Sequence, residues 1–349
     1  MRPRRGCLAL AKRERPKLAE SATPYFVGEK PGIKFIPSGC TILDCALGGG
    51  WAIGRVANVV GDKSTAKTAL STEAMANFLD QYPTGIAAYR DTEAAFDLSY
   101  ANAMGIPVSK IDFGDDDNPI LTVEDFAKDF DKFLEARLKD ETPGIYVLDS
   151  LDALSDDAEM EQDFGKASYG LAKSKGLSTF FRKTARKIER SNVLLLVVSQ
   201  VRDNIGVTFG EKFRRSGGKA LDFYSSQTLW LAHIKQISKT INKVERPVAV
   251  LIKAKVKKNK VGLPFREAQF LFKFGYGVED LGASINWLTD VGRLKDINLN
   301  PTEAKDYLAS IETMQDAEYR QELANTSKVV KQVWAEIETS FLPTRRKYA

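Results

Sequence analysis

Apolar and polar positions along the chain follow two rhythms, short unbroken apolar runs and longer stretches in which apolar residues recur every third or fourth place. Residues 55–60 form a run of the first kind and predict a buried strand. Residues 66–82 follow at helical spacing, with Leu70, Ala74 and Phe78 on one face. Residues 85–91 predict a second strand. Thr122, with Asp125 three residues on, has the chemistry of a helix start, and Val123, Phe126, Phe130, Phe133 and Leu134 recur at helical spacing behind it. A strand over 145–148, a helix over 176–190 and a strongly apolar strand over 193–198 complete the series.

Strands that alternate with helices pair in parallel through right-handed crossovers, so the pattern predicts an α/β fold with both faces of the sheet covered. Beyond residue 217 the rhythm changes. Residues 228–234, 248–255 and 269–274 are strand-like and leave no room for crossover helices, which predicts an antiparallel extension of a mostly parallel sheet. From about residue 286 the chain is polar and helical, with 303–311 and 326–341 as candidate helices. The expected organisation is a basic, proline-broken N-terminal arm (1–32), an α/β core (33–285) and a small helical C-terminal region (286–349).

Composition narrows the chemistry. No window approaches the roughly 20 apolar residues of a membrane span, and the charged start is not followed by an apolar leader. These features predict a soluble cytoplasmic protein. The three cysteines, Cys7, Cys40 and Cys45, match no zinc or redox spacing. His233 is the single histidine, so a general base is expected to be a carboxylate. The net charge of +5 is small, but basic runs stand out at 182–190, 212–215, 253–260 and 345–347.

The strand over 55–60 leads into Gly61, Asp62, Lys63, Ser64, Thr65, Ala66, Lys67 and Thr68, which open the next helix. Strand, loop and helix in that order are what a phosphate-binding loop requires. Successive backbone N–H groups and a helix N-terminus make a cavity for anionic oxygens. Lys67 would reach the β- and γ-phosphates and Thr68 would help hold Mg²⁺. Ala66 stands where the motif has glycine, adding a methyl close to the phosphates. Asp149 ends the apolar strand near residue 145 and is placed to hold the Mg²⁺ hydration shell. Glu93, just past the strand that ends at Asp91, lies where ligands bind in open α/β sheets and is the candidate to polarise an attacking water.

In this order the motifs resemble the RecA recombinase family, bacterial and phage-encoded. The resemblance runs from about residue 38 to 293 and is strongest at 38–48, 61–68, 149–154, 199–210, 216–224 and 257–265. It implies a RecA-like P-loop NTPase core, ATP and Mg²⁺ as cofactors, and a homo-oligomeric filament on single-stranded DNA that engages homologous double-stranded DNA. By resemblance Glu93 is the catalytic carboxylate, and Asp97 and Tyr100 contact the adenine. Gln200 senses the γ-phosphate, and Lys258 and Lys260 reach a neighbouring protomer's ATP. Two loops, about 157–172 and 201–217, would face DNA. They carry Lys166 and Tyr169 in the first, and Arg202, Ile205, Lys212, Phe213, Arg214, Arg215 and Gly217, with Gly218, in the second. Cations and isolated apolar tips suit sequence-tolerant binding that follows phosphates and wedges between bases.

The function expected is an ATP-dependent recombinase that pairs homologous strands, with DNA-stimulated ATP hydrolysis. Two alternatives share the core: a DNA translocase or helicase, faintly suggested by residues 258–262, and an ATP-switched single-strand-binding filament with little turnover, suggested by Ala66.

Overall fold

The computed structural model describes residues 32–115, 117–160, 171–203, 213–215, 218–343 and 345. In chain order the first elements are β1 (Phe35–Ile36), α1 (Thr41–Leu47), β2 (Trp51–Ala52), β3 (Val56–Gly61), α2 (Lys67–Gln81), β4 (Ile86–Asp91), α3 (Leu98–Ala103) and β5 (Ile111–Asp112). Next come α4 (Val123–Asp140), β6 (Gly144–Asp149), α5 (Asp157–Met160), α6 (Leu171–Arg190), β7 (Val193–Asp203), β8 (Phe213–Arg215) and α7 (Gly218–Tyr224). The last are β9 (Gln227–Ile241), β10 (Val244–Asn259), β11 (Glu267–Lys273), β12 (Gly277–Glu279), α8 (Asp280–Asp290), α9 (Pro301–Ser310) and α10 (Asp316–Ser340).

Strands β9, β3, β7, β6, β4 and β5 lie side by side in parallel, and β10, β11 and β12 continue the sheet from β9 in antiparallel fashion. The mixed α/β architecture expected from the two rhythms is the one observed. The central strands β3 and β6 are buried at every position because both faces are covered. In β6, Ile145 and Val147 enter the core shared with α1, α2 and α8, while Tyr146 and Leu148 enter the one packed by α4 and α6. β7 divides Leu194 and Leu196 from Val193, Leu195 and Val197 in the same way. Thr122 does start α4: its hydroxyl accepts from the Asp125 N–H at 3.1 Å, and the Asp125 carboxylate accepts from the Thr122 N–H in return.

Several boundaries differ from the sequence reading. α6 begins five residues earlier than expected, at Leu171. β7 runs on to Asp203 because β8 folds back on it, with Val201, Arg202 and Asp203 opposite Arg215, Arg214 and Phe213. β9 and β10 are about twice their expected length. They meet at Asn242 and Lys243, both with positive φ, the geometry of a tight hairpin turn. Their outer halves form an exposed ribbon with no core beneath it, so no alternation marks them in the sequence. α8 runs across residue 286, where the helical C-terminal region was expected to begin.

α10 closes the molecule against α8 and α1. Trp287 and Trp334 pack with ring centres 5.5 Å apart, and Arg266 makes a two-pronged ion pair with Glu338. Asp280 accepts from both the Thr41 N–H and the Thr41 hydroxyl at 2.7 Å, and that hydroxyl also meets Ser327 of α10 at 2.8 Å. No helix among the described residues is long and apolar enough to cross a membrane.

Candidate active site

Strand register brings the candidate groups together. Gly61 at the end of β3 is level with Gln200 in β7, and Asp91 at the end of β4 is level with Asp149 at the end of β6. Four carboxyl ends therefore open on one edge of the sheet, where open α/β folds bind ligands.

The loop from Gly61 to Ala66 turns tightly. Thr65 is buried and its hydroxyl donates to the Asp62 carbonyl at 2.8 Å. Ser64 and Ala66 have φ of 57° and 61°, in the left-handed region, and Ala66 is the residue before α2. No side chain caps α2, so the N–H groups of its first turn remain as donors for an anion. The Lys67 ammonium donates to the Asp62 carbonyl at 2.7 Å. Burial lowers the Lys67 pKa, against the opposing pull of Asp149, Glu93, Asp62 and Asp152. Asp149 is buried, and its Oδ2 accepts from the Thr68 hydroxyl at 2.6 Å and from the Tyr89 hydroxyl at 2.8 Å. Burial raises its pKa, which those two donors oppose.

Glu93 stands across the opening. Its Oε1 accepts from the Gln200 side-chain amide at 2.9 Å and from the Ser150 hydroxyl. Asp91 organises the segment beneath it by accepting from the N–H groups of Glu93, Ala95 and Phe96. A cavity of about 280 Å³ lies between the phosphate loop and α3, with Thr72, Phe96, Asp97, Tyr100 and Met104 in its walls. Asp97 caps α3 through the Tyr100 N–H, and the Tyr100 hydroxyl accepts from the Gly275 N–H at 3.2 Å.

The structure thus gathers Gly61, Asp62, Lys63, Ser64, Thr65, Ala66, Lys67, Thr68, Glu93, Asp97, Tyr100, Asp149 and Gln200 at one end of the sheet. It does not bring Lys258 and Lys260 there within one chain. Both ammonium groups donate to the end of α7, Lys258 to the carbonyls of Asp222 and Phe223 and Lys260 to that of Phe223. Arg202, Phe213, Arg214 and Arg215 lie in the β7–β8 hairpin and Gly218 begins α7. Lys166, Tyr169, Ile205, Lys212 and Gly217 lie outside the described residues, as does the N-terminal arm apart from Gly32. Sequence reading missed Ser150, Asp152 and Asp91. Only the adjacency of Ser150 to Asp149 hinted at a role.

The donor set suits a magnesium nucleotide. Uncapped amides and an ammonium match phosphate oxygens. A hydroxyl and a buried carboxylate match a hard cation, whose charge would offset the burial of Asp149.

Fold and site together define a RecA-like P-loop NTPase core. The RecA N-terminal domain family matches residues 19–279. The chain is 35% identical over 260 residues to Protein RecA of Nostoc punctiforme, covering 74% of this chain and 68% of that protein. It is 35% identical over 254 residues to Protein RecA of a Synechocystis species, covering 73% and 68%. Against Protein RecA of Francisella tularensis subsp. novicida it is 35% identical over 288 residues, covering 79% and 76%. The chain belongs to the RecA family.

Proposed function

We propose that this protein is an ATP-dependent recombinase that assembles on single-stranded DNA, pairs it with homologous duplex and hydrolyses ATP under DNA control. One observation carries the reading. Glu93, one of the carboxylates that act on Lys67, accepts a side-chain bond from Gln200 just where β7 ends its register with β3 and runs on into the segment over 201–217. An event on that segment therefore reaches the group that would act on water.

Bound ATP would supply the phosphoanhydride, and its magnesium ion would neutralise charge there. Lys67 and the amides of 64–68 would bind the phosphates, and Thr68 and Asp149 would orient the metal's oxygen shell. Asp97 and Tyr100 would wall the base. Glu93 Oε1, once freed from Gln200, would take a proton from water. Arg202, Arg214 and Arg215 would follow the DNA backbone, which makes binding fall as salt rises. The strain at Ala66 favours the second reading, an ATP-switched filament with little turnover.

Steady-state hydrolysis with and without single-stranded DNA, at low and moderate salt, decides between them. The recombinase reading expects strong, salt-sensitive stimulation, loss of nucleotide binding or turnover in Lys67→Ala, and retained binding without turnover in Glu93→Gln. Binding of ATP and DNA with no stimulated turnover would put the switch reading first.

A further inference from the structure

β6 stops at Asp149, and its last register with β7 is Leu148 opposite Val197. β7 continues, so the Gln200 N–H has lost the strand that would accept from it, and a buried amide needs a partner. Asp152 fills the gap from the turn after β6: its Oδ2 accepts from the Gln200 N–H at 2.7 Å. The same turn is held from the other side. Lys173 of α6 donates to the carbonyls of Asp152 and Leu154. α6 follows the segment over 161–170, and β7 leads into the segment over 201–217. The turn that begins at Asp149 and Ser150 is thus tied to the chain next to both segments read as facing DNA.

The Oδ1 of Asp152 is buried and has no hydrogen-bond partner among the described residues. Leaving it so costs free energy, which the bond from the Gln200 N–H must offset. The carboxylate also acts on Lys67 through space.

We propose that Asp152 is a positioning residue that fixes the Gln200 main chain against the Asp149–Ser150 strand end, so that DNA on either segment is read at Glu93. The proposal rests on the DNA-stimulated ATPase reading. Asp152 touches neither ATP nor the reacting water in this scheme. It sets where the Gln200 side chain can go: with the backbone clamped, a shift of the hairpin becomes a change in the Gln200–Glu93 bond rather than a slip of the strand.

The test compares wild type, Asp152→Ala and Asp152→Asn in the full-length chain. ATP turnover is measured with and without single-stranded DNA, beside hydrogen exchange over residues 196–203. Asp152→Ala is expected to cut the ratio of DNA-stimulated to DNA-free turnover by about tenfold, to speed exchange at the end of β7, and to leave the KM for ATP near the wild-type value. Asp152→Asn keeps an acceptor for the Gln200 N–H and is expected to rescue both readouts, which a general loss of packing would not do. A wild-type ratio in Asp152→Ala overturns the assignment of Asp152 alone. No DNA stimulation in the wild type overturns the ATPase reading and this proposal together. Should Asp152→Ala fail to fold, Lys173→Met cuts the other tie to the turn, and full stimulation in that variant overturns the proposal.

Discussion

Ala66 carries a side chain at φ 61° and ψ 26°, where the phosphate-loop motif has glycine. A Cβ in that region crowds the following carbonyl and costs about 1–2 kcal/mol. Glycine removes that strain but loses about 0.5–1 kcal/mol to its freedom in the unfolded chain. Ala66→Gly should therefore be stabilising by about 1.5 kcal/mol at most, read from the denaturant midpoint. Its effect on turnover should be larger, because the Ala66 methyl lies in the wall of the nucleotide cavity. A higher kcat in Ala66→Gly is expected, and equal kcat values would mean that the methyl does not limit hydrolysis. Ala66, Lys67 and Thr68 are legible in the sequence because the loop is contiguous. Asp152 is not, since its partner Gln200 is 48 residues away. Only the different lengths of β6 and β7 create the need for it.

At the scale of elements, α1 and α8 carry the buried carboxylates Asp44 and Asp280, and α2 carries Glu73 against β12. Burial pushes Asp44 up to about 7, Asp280 to about 6 and Glu73 to about 8. The ordinary values, about 3.9 and 4.3, apply to the unfolded chain. Between those values and the raised ones the folded state binds more protons than the unfolded state. The stability these groups contribute is therefore complete below about pH 4 and is lost progressively as pH rises from there through the folded values, about 6 for Asp280, 7 for Asp44 and 8 for Glu73. The melting temperature should fall across that interval. Asp280→Asn should flatten the fall, since the amide keeps one acceptor for Thr41 without a charge. An unchanged slope in Asp280→Asn would show that Asp280 does not titrate there. The parallel strands and α4 were legible because doubly buried strands and a capping box leave strong local patterns. The outer β9–β10 ribbon was not, because it packs on nothing. The basic runs were ambiguous for a related reason. Lys187 proves to be paired with Asp131, and Lys253 and Lys255 with Glu267, so part of that charge is spent inside the chain.

For the whole molecule, the open question is whether one chain makes a complete site. Lys258 and Lys260 hold the end of α7 in the chain that carries them, and neither contacts the phosphate loop of that chain by any hydrogen bond seen among the described residues. On the recombinase reading they act on the ATP of a neighbour, so a working site needs Lys67 from one protomer and the two lysines from another. Head-to-tail assembly then makes a prediction that no single-chain site shares. Lys67→Ala should be inactive, and the double variant Lys258→Glu, Lys260→Glu should bind nucleotide but lose DNA-stimulated turnover. Mixed in equal amounts, half of the protomers offer an intact Lys67 and the other half intact lysines. If the two variants assemble at random, about a quarter of the heterologous contacts join one of each in the productive sense. Turnover should recover towards about a quarter of the wild-type rate, although each variant alone is silent. The double variant also removes the ammonium groups from the end of α7, which should lower its stability by about 1 kcal/mol. That loss belongs to the chain itself and cannot be cured by mixing. Recovery would thus separate the two roles of these lysines, whereas a mixture as silent as its components would confine them to their own chain.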